Sequence, residues 1–144
     1  MIRVLVADDH HLVRHGIVAL LERTEGIEVV GQADNGQQAL AMAQKSRPDI
    51  LLMDIAMPRL NGLLACERLR ALDVPTRVVF LSMYSDEVLV RQAIRNGAGG
   101  YLLKSAITDE LLLAIRTAHE GEFYLSPVLS HLVAEDLFTE VMHF

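Results

Sequence analysis

Residues 50–54 read Ile-Leu-Leu-Met-Asp, a run of four apolar residues that ends in a carboxylate. Neighbouring side chains of a strand point to opposite faces, so an all-apolar strand indicates a parallel sheet that is covered on both faces. Similar short segments recur at regular intervals along the chain. The strand candidates are 2–7, 28–33, 50–53, 77–81 and 100–103.

Segments with a helical period separate these strands. They cover residues 11–23, 36–45, 62–72 and 86–96, and a fifth runs from Thr108 to near Gly121. We expect Asn35, Ser85 and Thr108 to cap the second, fourth and fifth helices, because their side-chain oxygens can accept from the free amides of a first turn. Strands that alternate with helices predict an α/β domain with a doubly wound, mostly parallel sheet.

The chain beyond the fifth helix differs from the alternating part. Ser126-Pro127 marks the start of an amphipathic helix, and no further strand is expected. The apolar stripe of that helix consists of Val128, Leu129, Leu132, Val133, Leu137 and Val141. We therefore divide the chain into a domain of residues 1–121 and a linker or helical tail of residues 122–144.

Composition narrows the class of protein. The 13 Lys plus Arg residues against 19 Asp plus Glu give a net charge of −6, which argues against a surface of this chain that binds DNA. Cys66 is the single cysteine, so no intrachain disulfide can form. No apolar run is long enough for a signal peptide or a membrane span. We expect a soluble, cytoplasmic protein.

Polar side chains follow four of the predicted strands. Asp8-Asp9 follow the first, Asp54 the third, Ser82 the fourth and Lys104 the fifth. Because the carboxyl ends of parallel strands meet at one edge of a sheet, we expect three carboxylates, one hydroxyl and one ammonium in a single crevice. Packing of a hydrophobic core does not require these polar groups, so their convergence indicates a functional site.

Crowded carboxylates indicate a bound cation. Oxygen ligands suit Mg²⁺, whereas a dinucleotide site would have a glycine-rich turn where this chain has Asp8-Asp9. With the cation in place, Ser82 and Lys104 could hold the oxygens of an incoming phosphoryl group. Asp54 is then the predicted nucleophile, and its product is an acyl phosphate.

These features together resemble the receiver domain of bacterial two-component response regulators. The motifs that carry the resemblance are Asp8-Asp9, Asp54 with Met57-Pro58, Asn61-Gly62, Ser82 and Lys104. Segments 6–10, 81–84 and 97–104 are similar to the NarL, FixJ and LuxR branch, whose full-length members end in a helix-turn-helix DNA-binding domain. The resemblance covers residues 1–121 and implies a flavodoxin-like sheet of five parallel strands, order 2-1-3-4-5, with five helices.

The resemblance also implies roles for single residues. Asp9, Asp54 and the backbone carbonyl of Ala56 would bind Mg²⁺ directly, and Asp8 would act mainly through a metal-bound water. Asp54 would receive the phosphoryl group from a sensor histidine kinase.

On the output side, the resemblance gives Ser82 a hydrogen bond to the attached phosphoryl group. Tyr101 would be the switch aromatic that moves between outward and inward positions, changing a face used for dimerisation or output. We therefore expect a homodimer on phosphorylation, with DNA bound only by a full-length protein that carries the output domain, which the 23 residues from Glu122 onward are too few to form.

Two positions depart from the family pattern. Ser105 follows the lysine where many receivers have proline, so a cis peptide is not expected as a matter of course. Ala56 and Tyr84, at positions that tune hydrolysis in the family, leave the lifetime of the phosphoryl group open.

Simpler interpretations exist for several residues. Asp8-Asp9 could cap the first helix, where carboxylates favour the helix dipole. His11 and His15 have a spacing that can bind zinc, but no third ligand is evident, and we leave them out of the site. Tyr101 could be an ordinary core or surface aromatic. Glycines 97, 99 and 100 fit a helix end better than a phosphate cradle.

Two other functions stay open from the sequence. A phosphatase with an aspartate nucleophile would normally have a second acid two residues later, where this chain has Ala56. An interaction module that keeps the fold without phosphorylation would not need to bind Mg²⁺. A turnover assay and a metal-binding measurement separate these functions from the phosphoacceptor.

Overall fold

In a computed structural model of the chain, which describes residues 1–130, six parallel strands form one sheet. Their order is β2-β1-β3-β4-β5-β6. The strands are β1 (Ile2–Ala7), β2 (Ile27–Ala33), β3 (Ile50–Asp54), β4 (Arg77–Ser82), β5 (Gly100–Leu103) and β6 (Tyr124–Leu125). The order of the first five strands is the predicted one, and the α/β, flavodoxin-like class is confirmed.

Five α-helices and one 3₁₀ turn connect the strands. The helices are α1 (His11–Glu22), α2 (Gly36–Ser46), α3 (Gly62–Ala71), α4 (Glu87–Arg95) and α5 (Ile107–His119). Asn35 caps α2 as predicted, since its side chain accepts from the Gln38 amide at 2.9 Å. The predicted cap of α4 is wrong by one residue, because Asp86 rather than Ser85 accepts from its first amides. The predicted cap of α5 is also wrong, because the 3₁₀ turn Lys104–Ala106 leads into a helix that begins at Ile107, with Ala106 at its N-cap and Thr108 inside its first turn.

Two apolar layers enclose the sheet. Leu51, Met53 and Phe80 face α2, α3 and α4, whereas Leu52 and Val79 face α1 and α5. All five side chains are fully buried. The alternation along each strand explains why these segments are apolar at every position, since both faces are covered. Within residues 1–130, no helix combines the length and the hydropathy that a membrane crossing requires.

The sixth strand corrects the prediction of a five-stranded sheet. The Tyr124 amide donates to the Gly99 carbonyl at 3.0 Å, and the Ser126 amide donates to the Tyr101 carbonyl at 3.2 Å. These bonds satisfy backbone groups of β5 that would otherwise form an open sheet edge. Residues 127–130 are helical, in agreement with the predicted start at Ser126-Pro127, and the rest of that predicted helix lies outside the described residues.

The loop after β3 is held by the start of α2. The Gly36 and Gln37 amides donate to the carbonyls of Pro58 and Arg59, at 3.4 and 3.0 Å. A Cβ on Gly36 would lie 1.8 Å from the Leu60 carbonyl oxygen, so this close approach requires glycine. Arg59 and Leu60 have φ values of 52° and 92°, which shows that the loop is tightly constrained where it leaves the sheet.

Candidate functional site

The predicted polar residues meet at the carboxyl edge of the sheet. Asp8 follows β1, Asp54 and Ser82 end β3 and β4, and Lys104 follows β5. The strand register places these ends side by side, since Asp54 pairs with Leu81 and Ser82 pairs with Leu103. The structure therefore brings together the side chains of Asp8, Asp9, Asp54 and Lys104, and it places Ser82 at the end of the adjacent strand.

Lys104 lies between two buried carboxylates. Its Nζ is 2.8 Å from Asp54 Oδ2 and 2.9 Å from Asp8 Oδ2. The side chains of Lys104 and Asp54 are each 5% exposed and that of Asp8 is 0% exposed, so water screens these pairs little. Burial alone would lower the pKa of Lys104, but the hydrogen bonds and charges of Asp54 and Asp8 outweigh it and raise that pKa. Lys104 is therefore charged at neutral pH.

Asp54 itself is held in a fixed orientation. The Ala56 amide donates to Oδ1 at 2.9 Å, while Lys104 binds Oδ2. Burial raises the pKa of Asp54, with a further contribution from the charge of Asp8, whereas Lys104 and the Ala56 amide act in the opposite direction. Burial thus favours the protonated form of Asp54 relative to an exposed aspartate.

The carboxylates form a group that could hold a divalent cation. Ligand atoms of Asp8, Asp9, His10 and Asp54 all lie within 4.8 Å of one another. Asp9 Oδ1 is buried and accepts no hydrogen bond from residues 1–130. A buried oxygen without a donor, next to two more carboxylates, fits a hard divalent cation with oxygen ligands. Of the chain that the structure describes, this is the one grouping of three or more such ligands.

Sequence reasoning gave no role to two side chains of this site. His10 Nδ1 is 3.1 Å from both Asp8 Oδ1 and Lys104 Nζ, so the imidazole faces the acidic group. Arg14 is 8% exposed and donates to the Asp8 carbonyl at 2.7 Å, and it also reaches Gln32 on β2. The signal for both was their proximity to Asp8-Asp9, and for Arg14 also its place on the buried face of α1.

The two simpler interpretations of this region find no support. Asp8 and Asp9 do not cap α1, because its N-cap is His10 and no side chain binds its first amides. The rings of His11 and His15 stack edge to face with centroids 6.2 Å apart, and neither belongs to the metal-ligand group. The acidic pair therefore faces the crevice and not the helix.

A second cluster, around Tyr84, links the crevice to β5. Ser82 Oγ accepts from the Tyr84 amide at 3.0 Å and lies 3.4 Å from the Tyr84 carbonyl. Tyr101 donates its hydroxyl to the same carbonyl at 2.9 Å. The Tyr101 side chain is 0% exposed, and burial raises its pKa, while a hydrogen bond with Ser82 acts in the opposite direction. Tyr101 is thus a core residue in the inward position.

Comparison with known proteins gives one consistent result. The sequence model of the response regulator receiver domain matches residues 4–116. The response regulator GacA of Pseudomonas aeruginosa is 38% identical over 143 residues, which cover 99% of this chain and 67% of that protein. The nitrate/nitrite response regulator protein NarL of Escherichia coli is 38% identical over 134 residues, which cover 93% and 62%. The chain thus spans two thirds or somewhat less of these relatives.

A solved structure gives the same answer for the fold. The two-component response regulator of the LuxR family from Aurantimonas sp. SI85-9A1 superposes with a TM-score of 0.88 and 32% identity. The superposition covers 94% of this chain and 97% of that one. The fold, the acidic group and the sequence model therefore agree.

Proposed function

The chain belongs to the response regulator receiver domain family, and from this premise we propose that it is a phosphoacceptor switch. In this proposal Asp54 accepts a phosphoryl group from a sensor histidine kinase in a reaction that needs Mg²⁺. The observation that carries the proposal is the Lys104 ammonium, which lies 2.8 and 2.9 Å from the buried carboxylates of Asp54 and Asp8. A cation placed there can offset charge on a phosphoryl group that joins Asp54.

The proposed metal ligands are all oxygens. Asp9, Asp54 and the Ala56 carbonyl would hold Mg²⁺ directly, and Asp8 would hold it through a water molecule. The buried Asp9 Oδ1, which accepts no hydrogen bond within residues 1–130, supports this assignment. When bound, the cation supplies positive charge against the oxygens of the transferring phosphoryl group.

Transfer then needs little more than position and charge. A bond forms between an Asp54 carboxylate oxygen and phosphorus, and the bond from phosphorus to the donor's imidazole nitrogen breaks, leaving its electron pair on nitrogen. The Ala56 amide, 2.9 Å from Oδ1, fixes the plane of the attacking carboxylate. Lys104 stabilises the charge on the equatorial oxygens, where most of the catalytic effect on phosphoryl transfer arises.

The switch follows from a shared acceptor. Ser82 and Tyr101 both approach the Tyr84 carbonyl, at 3.4 and 2.9 Å. When the Ser82 hydroxyl turns to donate to the attached phosphoryl group, it no longer donates to the Tyr84 carbonyl. Tyr101 is then the only one of the two hydroxyls that binds this carbonyl. Phosphorylation therefore holds Tyr101 more firmly in its buried position and reduces the time that the ring spends on the surface of β5.

The wider function follows the relatives. The protein signals in the cytoplasm, and phosphorylation changes its dimerisation or output surface. Residues 1–121 form the phosphoacceptor unit, and the chain from residue 122 connects it to an output domain that binds DNA in the full-length protein. The chain catalyses only its own phosphorylation and the hydrolysis of its aspartyl phosphate.

A single substitution tests the acceptor. Asp54→Asn keeps the shape of the side chain but removes the nucleophilic carboxylate, so uptake of a phosphoryl group from acetyl phosphate in Mg²⁺ should be abolished in an intact-mass measurement. Asp73→Asn is the matched control, because Asp73 is exposed and its φ of 55° is one that asparagine also adopts.

The control should take up the phosphoryl group as the wild type does. An aspartyl phosphate that forms at the wild-type level in Asp54→Asn would contradict the proposal. Continuous release of phosphate from phosphomonoesters by the wild type would instead indicate a phosphatase.

A further inference from the structure

Residues 122–129, here named the tail segment, follow α5 and return to the sheet beside β5. Two backbone hydrogen bonds of β6 hold the segment there, from the Tyr124 amide to Gly99 and from the Ser126 amide to Tyr101. The Tyr124 hydroxyl adds a bond of 2.7 Å to Glu110 on α5. The tail segment therefore covers the edge of the strand that carries the switch aromatic Tyr101.

Ser126 binds β5 with its side chain as well as its backbone. Its Oγ accepts from the Leu103 amide at 3.2 Å, and Ser126 is 0% exposed. Since the Ser126 amide donates to the Tyr101 carbonyl, one serine bonds the backbone on both sides of Leu102. Loss of the hydroxyl would leave a buried Leu103 amide without an acceptor, which is costly.

Leu129 anchors the tail segment by an apolar contact. It is 2% exposed and belongs to the hydrophobic cluster that contains Tyr101, Phe80 and Val90. Phe123, from the same segment, packs at the margin of that cluster. The neighbouring Val128 is 57% exposed, so the segment presents one side to the domain and one to solvent.

The Tyr101 ring lies in the same hydrophobic cluster as Leu129. The ring is 0% exposed and its hydroxyl is 2.9 Å from the Tyr84 carbonyl, the acceptor that it shares with Ser82. An outward turn of the ring would remove it from the cluster to which Leu129 contributes. Docking of the tail segment and the inward position of Tyr101 therefore favour each other.

We propose that the tail segment is a positioning element of the switch: its docking holds Tyr101 inward and so raises the affinity of the Asp54 site for a phosphoryl group. The inference rests on the proposed phosphoacceptor function. Because coupling between two sites is reciprocal, an occupied Asp54 site also holds the tail segment to β5. Phosphorylation is thereby read out as firmer attachment of the tail segment to β5.

The test measures the affinity of the site for beryllofluoride, a mimic of the attached phosphoryl group, by calorimetry in Mg²⁺. Ser126→Ala and Leu129→Ala should each weaken that affinity by about 5-fold or more, the lower end of ordinary coupling between sites. Ser130→Ala and Val128→Ala, which alter exposed residues of the same stretch, should leave it unchanged. Leu129→Met keeps the apolar volume of the side chain, so its affinity for beryllofluoride should stay close to that of the wild type.

A second measurement does not use the site. Fluorotyrosine NMR without beryllofluoride, with a soluble paramagnetic agent, reports how far each of the three tyrosines is exposed. The Tyr101 signal should broaden in Ser126→Ala and Leu129→Ala and stay sharp in the two controls. Circular dichroism shows whether each variant keeps the fold, and Ser126→Ala, which changes a single oxygen, remains as the test if Leu129→Ala unfolds.

The outcomes separate the two proposals. If the wild type binds beryllofluoride and both variants bind it equally well, the tail segment has no positioning role, while the phosphoacceptor function stands. If the wild type binds none, the phosphoacceptor proposal fails. In that case a Tyr101 signal that stays sharp in both variants also overturns the hold of the tail segment on Tyr101.

Discussion

Replacement of Lys104 by methionine removes the cation between Asp8 and Asp54 while keeping most of the apolar volume of the side chain. At 2.8 and 2.9 Å, each pair attracts by about 6 kcal/mol at an effective dielectric constant of about 20. The desolvation of a buried ammonium offsets part of that attraction. Loss of one partner of a buried ion pair typically costs about 3–5 kcal/mol, because charge is left without compensation.

We therefore expect Lys104→Met to lower the free energy of unfolding by about 3–5 kcal/mol, a large part of the total of about 5–15 kcal/mol that is usual for a domain. The assay is urea denaturation followed by circular dichroism, in EDTA at neutral pH. Lys45→Met is the matched control, because Lys45 is exposed near the end of α2, and its effect should stay within about 0.5 kcal/mol.

A double variant tests the cause of the loss. In an Asp54→Asn background only Asp8 is left without its cation, so Lys104→Met should cost less there than in the wild type. The reasoning is refuted if Lys104→Met is no more destabilising than Lys45→Met. It is also refuted if the cost is the same with and without the Asp54 carboxylate, because the attraction would then not involve Asp54.

The same urea titration checks two further expectations. Burial raises the pKa of Asp54 above 3.8, so its contribution to stability is complete below pH 3.8 and is lost as the pH rises through the folded-state pKa. Without Mg²⁺, Asp54→Asn should therefore gain stability relative to the wild type as the pH rises, and a constant difference would contradict this. Gly36→Ala should cost about 1–3 kcal/mol or more, because its Cβ would lie 1.8 Å from the Leu60 carbonyl. Gly16→Ala, with no atom within 4 Å, should be neutral or stabilising, and equal costs for the two would refute the clash.

The sequence predicted those parts of the molecule that depend on local pattern. The strand 50–53 could be recognised because both faces of the sheet are covered, which leaves an apolar residue at every position. The convergence of Asp54, Ser82 and Lys104 followed from strand order alone, since the ends of parallel strands share one edge. Periodicity and topology together therefore located the crevice before any distance was known.

The missed parts depend on contacts between distant segments. β6 has two residues, too few for a period, and its stability comes from pairing with the backbone of Gly99 and Tyr101. Likewise, proximity to Asp8-Asp9 was the only signal for His10 and, with its buried helix face, for Arg14. The contacts themselves, of Arg14 with the Asp8 carbonyl and of His10 with Lys104, depend on how α1 leaves the sheet. Ser85 and Asp86 are both good caps, and the local sequence could not decide between them.

The β3–α3 loop, which follows the proposed acceptor Asp54 and is here called the acceptor loop, is hydrogen-bonded to the start of α2. These bonds limit how the acceptor loop can be altered by protein engineering. The Pro58 and Arg59 carbonyls are the partners of the Gly36 and Gln37 amides, and both lie within five residues of Asp54 in the chain. An insertion designed to admit a bulkier donor would shift these carbonyls and leave the Gly36 and Gln37 amides without their acceptors. Any such redesign therefore has to rebuild the second helix and the acceptor loop together.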